Sequence, residues 1–127
     1  MFKALLVGMG GFIGSVTRYL LGGYIQQLSR SVDFPYGTLT VNLVGCFVIG
    51  LLSQLAETRG IFTSETRALV FIGVLGGFTT FSSFGNETLN LFRDGQAWIA
   101  LGNVGANVIL GLTLVWLGRT VAYLFWR

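Results

Sequence analysis

Polar positions in this chain fall in short clusters, and long apolar runs separate them. A helix that crosses a bilayer needs about 20 mostly apolar residues. Residues 3–28, 36–56, 68–92 and 97–126 each supply such a run. The pattern predicts an all-α membrane protein, with four transmembrane helices in a single domain over 1–127. The connectors 29–35, 57–64 and 93–96 are short and polar. Asp33 ahead of Pro35 offers a cap and a first-turn proline to the second helix. Thr63, Ser64 and Glu65 are suited to start the third, and Gly95 to turn the chain before the fourth. Tyr24, Tyr36, Trp98, Tyr123 and Trp126 fall near the expected interfaces, as an aromatic belt does. The opening MFKALLVGMGGFIG has the look of a secretory signal, but its apolar run continues past Arg18 without a clear small-residue cleavage site. It reads as the first spanning helix.

The third run is interrupted. Residues 73–84 read GVLGGFTTFSSF, which holds a glycine pair, two threonines, two serines and, three residues apart, Phe81 and Phe84. Lipid cannot hydrogen-bond a freed backbone, so such a break must line protein or water. The expected break spans Gly76 to Thr79. It has two physical consequences: released carbonyls become cation ligands, and the half-helix that follows starts with a positive dipole end that favours anions. The competing reading is a kink relieved by the Thr and Ser hydroxyls.

Other polar residues sit on helical faces. Thr80, Ser83, Glu87 and Asn90 form a stripe in the third run, and a carboxylate there is not expected to face lipid. Phe81 and Phe84 are three apart and share a face. That is ordinary packing spacing, yet a phenyl ring has a positive edge that suits a small anion. Thr38 and Asn42 share a face of the second run, where the Asn42 amide can donate either to an anion or to another helix. Asn103, Asn107 and Gly111 share a face of the fourth and could meet the stripe. Gly10 and Gly14, four apart, predict close helix packing. Arg18 follows on the same face and reads as a structural charge that anchors or snorkels.

Composition narrows the classes. The 127 residues are 53% hydrophobic and only 10% charged, against about 25% charged in soluble domains. Net charge is +3 with no basic run, which removes nucleic-acid binding. One cysteine, Cys46, supports neither a disulfide framework nor a zinc site. Without histidine the chain lacks the commonest general base, and no enzyme motif replaces it. Four spans put both termini on one side, with Lys3, Arg59, Arg67, Arg119 and Arg127. The other side carries Arg30 and Arg93, with Arg18 toward it, so the balance leans modestly to cytoplasmic termini.

With GGFIGSVTRY (10–19), GTLTVNLVG (37–45) and GGFTTFSSF (76–84) followed by Glu87-Thr88, the chain resembles the bacterial fluoride channels of the Fluc, or CrcB, family over essentially its whole length. The resemblance implies a passive fluoride channel of the bacterial inner membrane, built as an antiparallel homodimer inserted in both orientations, with two pores. It implies that Phe81 and Phe84 give ring edges to fluoride and that Asn42 donates a hydrogen bond. It implies a structural, untransported sodium ion held by the carbonyls of Gly76 and Thr79 from both subunits. Thr38, Thr80, Ser83 and Glu87 are then expected in a polar track, with Asn107 at a position where some members carry Tyr or Ser. Fluoride and lipid are the implied partners, with no other protein. The alternative is a small multidrug exporter, which needs a carboxylate in its first span; this first span has Arg18 and no acid. A non-transporting assembly subunit would leave the break and the stripe unexplained.

Overall fold

A computed structural model describes residues 1–126. Four helices carry the chain: Phe2–Ser29, Tyr36–Arg59, Ser64–Arg93 and Ala97–Trp126. Each is long and apolar enough to cross a membrane, and no strand occurs among the described residues. The expected runs are therefore recovered, with the second extended to Arg59 and the third begun at Ser64. The extension at the second ends where Gly60 takes the left-handed conformation (φ 59°) that closes a helix. Thr63 caps the third, its side chain accepting from the Thr66 N–H at 3.2 Å, and Gly95 turns the chain at φ 78°. Arg127, one of the charges in the side-to-side balance, lies outside the described residues.

Asp33 does not cap the second helix. Pro35 is its N-cap without a side-chain bond. Gln26 takes that task from the first helix: its Oε1 accepts from the Gly37 N–H at 3.0 Å, and its Nε2 donates to the carbonyls of Ser31 and Phe34. Gln26 thus ties the connector and the start of the second helix to the first helix through three backbone partners.

Small residues set the packing. A Cβ on Gly10 would lie 2.8 Å from the Val74 nitrogen, and one on Gly14 would lie 2.8 Å from that of Phe78. The first helix thus rests directly on the backbone of the third, as the Gly10–Gly14 spacing predicts. The second and fourth helices make the other close pair, with Gly118 against the backbone of Phe47 and Leu51. Arg119 ties the ends of this pair with a two-pronged salt bridge to Glu57 at 3.0 Å. Large side chains such as Phe12, Leu20, Ile72 and Trp116 point outward, which is the arrangement lipid requires.

The third helix is not uniform. It is wound as a π-helix over Ala68–Leu75, returns to α over Gly76–Phe78, breaks, and resumes at Phe81–Arg93. The break is shorter and later than Gly76 to Thr79. Gly76 and Gly77 stay helical; Thr79 (φ −82°, ψ 157°) and Thr80 (φ −148°, ψ 121°) are extended. The glycine pair does not loosen the backbone here. Gly77 instead lets the first helix approach, since its Cβ would lie 2.7 Å from the Gly11 carbonyl oxygen. The two extended threonines are β-branched and accept extended backbone readily.

Candidate functional site

The break is held by one side chain. Asn42 on the second helix accepts from the Thr80 N–H at 2.9 Å and donates to the Thr80 carbonyl at 3.0 Å. Both backbone groups of an extended residue, 9% exposed, are thereby satisfied at the place where the helix ladder fails. An unbroken helix would give the Thr80 N–H to the carbonyl of Gly76. Here that N–H goes to Asn42, so the Gly76 carbonyl loses its ladder partner. The Thr79 carbonyl leaves the helix with the extended backbone, while the Thr79 hydroxyl donates to Leu75 at 3.1 Å. Gly45 keeps the second helix close, its missing Cβ vacating space against the Thr79 methyl.

Below the break a new helix starts in the manner of a capped N-terminus. The Thr80 hydroxyl accepts from the Ser83 N–H at 3.2 Å and donates to the Ser83 hydroxyl at 3.1 Å. Phe81 is 81% exposed and Phe84 half-buried. Their ring centroids are 5.5 Å apart at 59°, so the expected shared face is present with the rings tilted.

Two cavities meet at Thr80. One, of about 420 Å³, is lined by Asn42, Thr79, Thr80, Phe81, Phe84 and Asn107 among others, with Gly76 on its wall. The other, of about 570 Å³, is lined by Arg18, Thr38, Thr80, Ser83, Glu87 and Asn90 among others. The polar stripe therefore faces a cavity. Thr38 and Asn42 are separated: Thr38 donates to Glu87 Oε1 at 2.7 Å in the second cavity, and Asn42 faces the first. Glu87 Oε2 is buried without a hydrogen-bond partner. Arg18 is half-buried at the wall of this second cavity.

The fourth helix reaches the break by a different route from the stripe. The Asn42 amide also donates to Asn107 Oδ1 at 3.1 Å. Asn107 Nδ2 donates to the carbonyl and to Oδ1 of Asn103 at 2.9 and 3.0 Å. Asn103 Nδ2 donates to the Thr88 hydroxyl at 2.9 Å, which donates to the Phe84 carbonyl at 2.7 Å. The partner of Asn103 is thus Thr88, off the expected stripe. Thr88 escapes a sequence reading because a Thr hydroxyl on a helix commonly bonds back to its own i−4 carbonyl; the Asn103–Asn107 spacing is the only signal toward it. Both hydrogens of the Asn42 amide are used, one on Thr80 and one across to another helix.

Known proteins carry similar sequences. A family profile described as "CrcB-like protein, Camphor Resistance (CrcB)" matches residues 5–119. A "Fluoride-specific ion channel FluC" of Methylobacillus flagellatus is 46% identical over 118 residues, covering 93% of this chain and 92% of the relative. "Fluoride-specific ion channel FluC 3" of Methanosarcina barkeri is 45% identical over 122 residues, covering 96% and 91%. The Elusimicrobium minutum protein named "Fluoride-specific ion channel FluC" is 50% identical over 117 residues, covering 92% and 90%.

Proposed function

This chain belongs to the CrcB-like family, a family of ion channels and not of enzymes, and from that premise we propose that it is a passive, fluoride-selective channel that exports fluoride across a bacterial inner membrane and so confers fluoride resistance. The observation that carries this reading is the position of Thr80, the common wall of two cavities at the broken third helix. Fluoride is small and strongly hydrated, so a pore must replace its water with several donors at once. Phe81 and Phe84 offer ring edges at one cavity, and Asn42 offers its amide. An anion at that amide takes the place of the Asn107 oxygen as acceptor. Thr38, Thr80, Ser83 and Glu87 form the polar track at the other cavity, and Arg18 is its structural charge. None of the donors beside the rings is a fixed cation, so binding stays weak enough for release.

The functional unit in this reading is an antiparallel homodimer with two pores, inserted in both orientations. Phe81, exposed at 81%, is then covered by the second subunit. A structural sodium ion would be held by the carbonyls of Gly76 and Thr79 from both subunits. The loss of a helical donor at the Gly76 carbonyl fits that role, since a carbonyl left without its N–H partner is a hard oxygen ligand. Bound there, sodium supplies positive charge and joins the subunits.

The test is reconstitution into liposomes loaded with potassium fluoride, with a fluoride electrode outside. Valinomycin should trigger fast fluoride release, and chloride-loaded liposomes should release almost nothing. Equal rates for the two anions, or no release, would sink the reading.

A further inference from the structure

We propose that Asn103 is a positioning residue, one that sets both the Asn42 amide and the Phe84 turn from a single buried point; the proposal rests on the channel reading above. Asn103 is 1% exposed, and both polar atoms of its side chain are engaged. The logic is one of direction. A primary amide has a donor end and an acceptor end, and nothing in its shape decides which faces a neighbour. Asn107 spends its Nδ2 on the Asn103 carbonyl and Oδ1, so only its Oδ1 is left to face the second helix. Asn42 must meet that oxygen with an N–H, at 3.1 Å. Its own Oδ1 then faces the Thr80 N–H at 2.9 Å, so the Asn107 contact reinforces the orientation that the two Thr80 bonds require.

Without the Asn103 side chain, Asn107 Nδ2 keeps only the backbone carbonyl of residue 103, and one of the two bonds that fix its direction is gone. If the Asn107 amide turned over, two NH₂ groups would face each other, or Asn42 would turn with it and lose both bonds to Thr80. The other arm works through Thr88. Its hydroxyl has one hydrogen; by accepting from Asn103 it sends that hydrogen to the Phe84 carbonyl. One buried amide therefore orients the donor that faces the cavity and pins the turn that carries a ring of the same cavity. The acceptor presented by Asn107 keeps an Asn42 N–H aimed where an anion can replace it.

The experiment uses Thr88, because valine has the shape of threonine without the hydroxyl. Thr88→Val, Thr88→Ser and wild-type protein are reconstituted, and fluoride efflux is measured. In parallel, the side-chain amide signals of Asn42 are followed by ¹⁵N NMR in detergent. Thr88→Val should lower efflux about tenfold, the effect of one buried hydrogen bond, and should move the Asn42 signals. Thr88→Ser should do neither. If valine prevents folding, Thr88→Ala gives the same two readouts. Efflux within about twofold of a conducting wild type, or lowered efflux with unmoved Asn42 signals, overturns the inference alone. Serine behaving as valine overturns it too, since a missing methyl would then be the cause. A wild-type protein that passes no fluoride overturns the channel reading and this inference with it.

Discussion

Asn42 grips Thr80 twice, taking its N–H at 2.9 Å and giving to its carbonyl at 3.0 Å, so one side chain replaces two rungs of a helix. Removing it leaves two buried backbone groups without partners, at about 1–3 kcal/mol each if neither relaxes. Interhelical bonds in membranes are worth less on average, about 0.6 kcal/mol. We expect Asn42→Ala to lower stability by about 2 kcal/mol and to reduce fluoride efflux strongly. Unfolding in graded denaturant, read by circular dichroism, checks the first part. An unchanged midpoint would mean that the break holds itself open.

Phe81 and Phe84 give a prediction that separates packing from permeation. Phe81 is 81% exposed, so isoleucine there removes little packing within one chain. A ring contact is worth about 1 kcal/mol, so each of Phe81→Ile and Phe84→Ile should slow fluoride efflux about fivefold or more. Both variants should elute from gel filtration as the wild-type assembly does. Unchanged efflux in both would remove the ring-edge role.

Gly14 and Gly23 make a matched pair on one helix. A methyl on Gly14 meets the backbone of Val74 and Phe78, while one on Gly23 meets nothing within 4 Å. Backbone cannot step aside as a side chain can. Gly14→Ala should cost about 1–3 kcal/mol and reduce the yield of monodisperse protein. Gly23→Ala should be neutral. Equal behaviour of the two would show that the first helix is free to move off the third.

The helices were legible because their signal is coarse: an apolar run about 20 residues long needs no knowledge of neighbours. The polar stripe from Thr80 to Asn90 was legible for the same reason, since a face follows from spacing alone. The break was harder. Glycine pairs weaken helices, so Gly76 and Gly77 drew the expected break toward themselves. In the structure both stay helical, Gly77 against the first helix, and the break falls where Asn42, 38 residues earlier, can satisfy it. No local reading contains that pairing. The cap of the second helix failed likewise: Asp33 was near in sequence, but Gln26 was near in space. Which way each amide in the Asn42–Asn107–Asn103 chain points is a property of the whole chain of bonds. It becomes visible only once all three helices are in place.

The sodium ion is the last expectation that Asn42 bears on. Its grip on the Thr80 N–H deprives the Gly76 carbonyl of its helical donor. Losing that grip lets the N–H return to Gly76, which would spoil one of the two proposed ligands. A ligand that binds only the folded assembly stabilises it by about 2.7 kcal/mol at a hundred times its dissociation constant. Wild-type protein should therefore melt higher in sodium chloride than in choline chloride of equal ionic strength. Asn42→Ala should melt lower in both and lose most of the difference between them. Equal melting of the wild type in the two salts would remove sodium from the structure. A full sodium shift kept by Asn42→Ala would instead leave the ion in place and break its link to Asn42.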